Sequence, residues 1–255
     1  MAIVGTALED GVLTVTIDRP EKRNALSREV LTGLEAAFTD AAKDDDLKAA
    51  ILTGVGDKSF AAGGDLRELA SIRSREGARE MADNAKRALD AIRRFPVPVV
   101  AALNGDALGG GAELAVACDF RVFACHARIG FVQGRLNIST AWGGGVDLMR
   151  LVGPAVGLRL LSRSELIDGR DAVAIGLGDA AAAPDQTLGD LMTAFMTPIK
   201  SQAPQVLRAF KAMAMAARFG LPRVEMLDLE TETFSGTWVH DDHWSAAEAV
   251  LGGRK

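Results

Sequence analysis

Two glycine-rich segments constrain this chain more than any other feature: Phe60-Ala61-Ala62-Gly63-Gly64-Asp65 and Asn104-Gly105-Asp106-Ala107-Leu108-Gly109-Gly110-Gly111-Ala112-Glu113. Each follows an apolar β-type run and precedes a helix-like run. The first N–H groups of a helix have no partner inside it and point at whatever lies ahead. Glycine at such a junction lets another atom approach the backbone closely. Two facing junctions would aim two N–H donors at one point, which is an oxyanion hole for charge that develops during a reaction.

The surrounding pattern is that of a layered α/β protein. Residues 12–17 alternate as a strand, and Asp18 to Asn24 close it with a polar loop. Ser27 is placed to cap a helix with Val30, Leu31, Leu34, Phe38 and Ala42 on one face, ending at Asp44-Asp45-Asp46. A strand at 49–53, a charged helix near 75–94, a buried strand around 96–102 and another at 121–124 follow. Gly143-Gly144-Gly145 opens a further helix expected to end near Gly153-Pro154. After about residue 185 only helical signals remain, punctuated by Pro198, Pro204 and Pro222 into three or four helices. The strand–strand–helix recurrence argues against a plain alternating βα sheet.

Composition removes several function classes. At 255 residues, 48% hydrophobic and 25% charged, the chain can bury one full core. A net charge of −5 speaks against a nucleic-acid surface or a basic membrane-binding face. A polyanionic ligand would therefore need a local positive cluster. No apolar run approaches the ~20 residues that span a bilayer, and Glu9 and Asp10 interrupt any signal-peptide core. Cys118 and Cys125 lack metal-ligand spacing and read as small buried apolar residues of a reducing, cytoplasmic compartment. His126, His240 and His243 are too scattered for a metal site; the His240–His243 stretch reads as a solvated turn or helix end, and Trp142 and Trp238 as packing residues. The second glycine segment lacks the Gly-x-Gly-x-x-Gly spacing of a dinucleotide loop, and neither junction offers the serine or cysteine of a hydrolase.

Arg19-Pro20-Glu21-Lys22-Arg23-Asn24-Ala25-Leu26, Phe60–Asp65 with Leu66, and Asn104–Glu113 with Leu114 together resemble the enoyl-CoA hydratase/isomerase, or crotonase, family. The likeness runs on through Ala117-Cys118-Asp119, Gly143-Gly144, Arg150 to Gly153, Gly169 to Ala172, and Ala203-Pro204 followed by Lys211. It implies an α/β crotonase (ClpP-like) spiral of ββα units with a helical C-terminal region. Residues 1–195 would form the catalytic, acyl-CoA-binding core, and 196–255 a helical trimerisation region of a homotrimer or homohexamer. It further implies an acyl-CoA thioester substrate, no separate cofactor and no metal. Gly64 and Gly110 would supply the oxyanion N–H groups. Lys22, Arg23, Ala25, Ala62, Asp65, Leu66, Leu108 and Val132 would lie along the substrate; Asp65 also suits a helix cap.

The resemblance breaks at one catalytic position. Hydratases of the family use two carboxylates, and Glu113 matches the first. The second falls on Gln133, ten residues before Gly143. A primary amide does not titrate near neutrality and cannot be a general acid or base. Decarboxylation of a malonyl-type CoA, such as ethylmalonyl- or methylmalonyl-CoA, needs no base for C–C cleavage. Phe131-Val132-Gln133 and Ala141-Trp142-Gly143-Gly144 resemble the branch that contains ethylmalonyl-CoA decarboxylase, although Thr140 stands where that branch is expected to have proline. The expectation is therefore a crotonase-family lyase, a decarboxylase first. The alternatives are hydration or isomerisation of an enoyl-CoA, and a non-catalytic RNA-binding relative.

Overall fold

The computed structural model describes residues 3–252. An antiparallel hairpin of β1 (Val4–Glu9) and β2 (Val12–Ile17) opens the chain. A turn over Pro20–Lys22 then leads to α1 (Arg28–Ala41). Ser27 Oγ accepts the Val30 N–H at 3.3 Å, and Val30, Leu34 and Phe38, one helical turn apart, are buried. The chain continues through β3 (Ala49–Gly54), β4 (Ser59–Ala61), α2 (Leu66–Leu69) and α3 (Arg75–Arg93). Next come β5 (Val99–Leu103), β6 (Asp106–Leu108), α4 (Gly110–Ala117), β7 (Phe120–Phe123) and β8 (Arg128–Gly130). Then follow α5 (Gly144–Arg163), β9 (Ile167–Asp168), α6 (Gly169–Ala174) and β10 (Ala180–Ala181). Four helices finish the described chain: α7 (Leu188–Lys200), α8 (Pro204–Phe219), α9 (Arg223–Trp238) and α10 (Asp241–Gly252).

The strands form two sheets. The larger has the order β1-β2-β3-β5-β7-β10 and the smaller β4-β6-β8-β9. Successive strands alternate between them: β3 hands on to β4, β5 to β6 and β7 to β8. This is the spiral of ββα steps that the sequence pattern implied. Pairing is parallel throughout except for β1–β2 and β8–β9. Parallel neighbours require crossover segments, and α3 and α4 supply them. Every residue of β5 and of α4 is buried, which explains why both read as continuous apolar runs. Phe38 meets Phe95 edge to face, with ring centroids 5.1 Å apart, where α1 passes the end of α3.

Several expectations need correction. Cys118 is buried, but Cys125 is exposed, because it follows the last inward-facing residues of β7. Burial, with the Asp119 carboxylate nearby, pushes the Cys118 thiol up to about 12, and Arg121, Arg218 and Lys211 offset only part of that rise, so it is inert packing. Trp238 is exposed rather than packed in the core. The helix after Gly143 does break at Gly153, as expected, where φ 76° and ψ 159° are non-helical, but a second helical stretch follows at once, with Pro154 inside α5. Pro198 likewise lies inside α7 instead of separating two helices. His240 directly precedes α10, in keeping with its reading as a solvated helix end. No helix is long and apolar enough to cross a membrane among the described residues.

Buried Asn24 ties the loop after β2 to the smaller sheet. Its Nδ2 donates to Ser59 O at 2.7 Å and Val55 O at 3.1 Å, while its Oδ1 accepts the Arg19 N–H at 3.0 Å. It also holds a left-handed φ of 55°, which asparagine tolerates better than alanine. Asn24→Ala is expected to lower the unfolding free energy by about 1–3 kcal/mol, because two carbonyls lose their donor. A urea melt with an unchanged midpoint would contradict this.

Candidate active site

Register within the smaller sheet places the site. Ala61 pairs with Ala107, and Ala107 and Leu108 pair with Ile129 and Gly130, so β4, β6 and β8 end at one edge. Chain leaving those ends carries Gly63-Gly64, Gly109-Gly110 and Val132-Gln133 in turn. The Gly109 N–H donates to Gly130 O at 2.8 Å, locking the second junction to the third. Gly63 and Gly109 have φ of 92° and 56°, the left-handed region where a side chain would be strained. A Cβ built on Gly63 would stand 3.3 Å from the Gly110 nitrogen, so the two bends are in contact.

Gly64 and Gly110 therefore come together as the sequence pattern required. Among the described residues neither backbone N–H is engaged in a hydrogen bond. Gly110 is the first residue of α4, so its amide also carries the positive end of that helix. The first junction is held from outside by the loop after β2. Leu26 N–H donates to Gly63 O at 2.8 Å, Asp65 N–H to Leu26 O at 3.2 Å, and Ala62 N–H to Arg23 O at 3.1 Å.

Glu113 lies one turn into α4 and is buried. Its Oε2 accepts the backbone N–H groups of Trp142 and Gly144, both at 2.9 Å, and its Oε1 accepts Gln133 Nε2 at 2.9 Å. Burial raises its pKa, and the four donors that favour the charged form, Trp142, Gly144, Ala141 and Gln133, offset only part of that rise. Gln133 is itself buried, and its Oε1 has no partner among the described residues. A buried amide oxygen left this way asks for a donor.

The turn that grips Glu113 is braced from behind. Arg93 Nη2 donates to Trp142 O at 2.9 Å, and its Nε meets Asp147 Oδ2 at 2.8 Å. Arg218 of α8 reaches the other oxygen of Asp147 at 3.0 Å, so a C-terminal helix is tied to the site. Lys211, also on α8, pairs with Asp119 at the end of α4. These motif residues of core and tail thus meet each other rather than a substrate.

The remaining sequence candidates divide. Arg23, Ala62 and Leu108 line an open cavity of about 490 Å³ together with Lys58, His126 and Arg128. Val132 stands beside Gly109. Ala25 accepts an Arg19 guanidinium N–H through its carbonyl at 2.8 Å. Asp65 caps α2 and pairs with Arg19 at 3.1 Å, a structural role. Lys22 and Leu66 are exposed, and neither lines that cavity. Trp142, Arg93 and the basic residues Lys58, His126 and Arg128 were not singled out from sequence as site residues. They lie on separate elements, and no spacing links them. Among the described residues no three His, Cys, Asp or Glu side chains converge on a metal-sized point.

Two aimed amides beside one buried carboxylate define a class: enzymes that stabilise an enolate or other oxyanion of an activated acyl group. The profile of the enoyl-CoA hydratase/isomerase family matches residues 7–251, and the chain belongs to that family. Crotonyl-CoA hydratase of Syntrophomonas wolfei subsp. wolfei is 33% identical over 249 residues, covering 97% of this chain and 94% of that protein. Ethylmalonyl-CoA decarboxylase of Gallus gallus is 29% identical over 230 residues, 89% and 76% of the two chains. The crystal structure of enoyl-CoA hydratase from Bacillus anthracis superposes with a TM-score of 0.91 at 28% identity, covering 99% and 97%. The fold is thus the crotonase fold, and the chain is an acyl-CoA enzyme of this family. The decarboxylase relative is the more distant one, in identity and in coverage, so likeness favours hydration over the decarboxylation expected from Gln133.

A Cβ at Gly144 would stand 2.5 Å from both Cβ and Cγ of Glu113 and 2.6 Å from its Cα. Backbone cannot yield that far. Gly144→Ala is expected to cost about 1–3 kcal/mol of stability through overpacking and to reduce turnover by displacing Glu113. Thermal melting and initial rates check this together; a variant normal in both would show that the cradle is not rigid.

Proposed function

We propose that the protein hydrates a short enoyl-CoA, with Glu113 as the one titrating group and Gly64 and Gly110 as the oxyanion hole. The observation that carries this reading is the buried Glu113 carboxylate beside two free, adjacent glycine amides. In this scheme Glu113 takes a proton from water while the water oxygen bonds to the β-carbon. The displaced electron pair moves to the thioester oxygen, held by the two N–H groups. The enolate then collapses and its α-carbon takes the proton back from Glu113. One carboxyl can serve both half-steps because it gives up the proton that it received. Gln133 fits as a positioning group: its Nε2 fixes Glu113, and its unpartnered Oε1 can accept the second O–H of the water. Each oxyanion donor is worth roughly 2.7–4 kcal/mol in comparable holes.

The CoA moiety is assigned to the cavity at Arg23, Ala62 and Leu108. Arg23, Lys58 and Arg128 line it with the carboxylates Asp57 and Asp106, which gives an acidic protein a local excess of positive charge for a polyphosphate. Arg128 is shared with Asp106, at 2.6 Å. Self-association through the C-terminal helices, as a trimer or hexamer, belongs to the same proposal. It is supported by exposed Val224, Leu227, Phe234 and Trp238 on α9, and Trp244 and Leu251 on α10.

Decarboxylation remains a second reading because of the Gln133 amide. There the Cα–carboxylate bond breaks, its electron pair passes to the thioester oxygen, CO2 departs, and protonated Glu113 donates to the α-carbon. The two readings differ in the sign of their pH dependence. Hydration needs ionised Glu113, so kcat/KM should rise with pH along a limb above the ordinary carboxylate value of ~4.3, since burial raises this pKa. Decarboxylation quenched by the acid form would fall along the same limb. Mass spectrometry after incubation with crotonyl-CoA and ethylmalonyl-CoA should show gain of water by the first as the faster reaction. Faster loss of CO2 from the second, with the falling limb, would replace the hydratase reading. Glu113→Gln should lower turnover by about 10²-fold or more and abolish the limb. Light scattering at micromolar protein should give a mass of three or six chains; a strictly monomeric protein would refute the assembly.

A further inference from the structure

Among the described residues, Trp142 is the one that touches both Gly64 and Gly110 with its side chain, holds the Glu113 carboxylate with its backbone N–H and lines a partly apolar cavity. A Cβ built on Gly110 would fall 2.3 Å from its Cζ3, and one on Gly64 would fall 3.5 Å from its Cη2. The benzo edge of the indole therefore packs against both glycines on the side where a side chain would stand. The same residue lines a cavity of about 190 Å³ with Leu26, Leu31, Leu69, Ile72 and Met81. Its backbone cannot swing aside: the N–H holds Glu113 and the C=O is held by Arg93, both at 2.9 Å.

We propose that Trp142 is the specificity-determining residue of the acyl site, a fixed wall that limits the chain to a short, uncharged acyl group. The proposal rests on the acyl-CoA reading above. An acyl carbon skeleton whose carbonyl oxygen sits at Gly64 and Gly110 must leave past the indole to enter the cavity. Chain length is thus measured against a rigid aromatic face rather than a flexible side chain. The cavity rim bears Arg28 and Arg87 against Glu35 and Glu68, two charges of each sign, so it offers no net attraction to an acyl group with an ionised end. The inner lining is aliphatic and sulfur-containing, which suits a plain hydrocarbon tail.

Equilibrium binding of saturated, unreactive butyryl-CoA and octanoyl-CoA to the full-length protein tests this without relying on turnover. The unmodified protein should bind butyryl-CoA at least as tightly as octanoyl-CoA. Trp142→Ala should shift the ratio of the two dissociation constants by about tenfold or more toward octanoyl-CoA, and Trp142→Phe should shift it part of the way. A ratio unchanged across the variants overturns the proposal, including when both affinities fall together, because a merely structural role would weaken both alike. If Trp142→Ala does not fold, Trp142→Phe and Trp142→Leu carry the same comparison. Failure of the unmodified protein to bind either acyl-CoA would sink the acyl-CoA reading and this proposal with it. Binding with crotonyl-CoA turnover but an unmoved ratio would sink this one alone.

Discussion

Parallel pairing of three very short strands is the constraint on which the site depends. Because β4, β6 and β8 run the same way, their carboxyl ends must lie side by side, and whatever follows each strand is delivered to one edge. This is the general rule that ligand sites in parallel sheets form beyond the carboxyl ends of strands. Here it brings together segments about forty-six and twenty residues apart, Gly64 with Gly110 and Glu113 with Gln133. Neither pair could meet through local structure. The larger sheet contributes by holding that edge still: β5 is wholly buried beneath it, and α4 is buried on every face.

Burying Glu113 carries a physical cost that the structure answers locally. A carboxylate moved out of water is destabilised unless donors replace its hydration. Backbone amides at Trp142 and Gly144 do so without adding a positive charge, which leaves the group able to take up a proton. An arginine in the same place would have held the carboxylate ionised and made it a poor proton carrier. The positive charge is instead set one layer back. Arg93 contacts the carbonyl of Trp142, the buried Asp147 and, one turn back on α3, Asp90, so it shapes the turn without pairing with Glu113. Truncating one partner of such a buried pair typically costs 3–5 kcal/mol, which marks this layer as structural rather than chemical.

Much of the fold was legible because its signals are local. Ser27 caps α1 and Val30, Leu34 and Phe38 share its buried face, as their spacing required. The glycine junctions announced themselves as runs of small residues between an apolar strand and a helix. What was hidden depends on tertiary contact. β1 pairs along a solvent edge with four of its six residues exposed, so it shows no inward alternation to read. Trp142 looked like packing because an aromatic residue carries no mark of what it faces. Cys125 was placed inside because a free cysteine reads as a small apolar residue, yet the strand has already ended at Phe123. The basic residues of the cavity that we assign to CoA come from three separate segments, around Arg23, Lys58 and Arg128, and only tertiary structure brings them together.

Gln133 is the residue at which sequence likeness and chemistry pull apart, and the geometry reconciles them. A second carboxylate at that distance from Glu113 would force the two to share a proton, since like charges so close cannot both ionise. The amide removes that coupling. Its Nε2 hydrogen bond works toward the charged form of Glu113, opposing the desolvation that raises it. Glu113 thus titrates as a single group whose charge is set by burial against donated amides. A neutral neighbour also changes what an incoming water experiences, because Gln133 Oε1 can orient it but never deprotonate it. In the hydration we propose, the site then has one proton in transit, and the base of the first half-step must become the acid of the second. Such a mechanism needs a carboxyl that is comfortable in both states, and a buried carboxylate held by main-chain amides rather than by a cation meets that requirement.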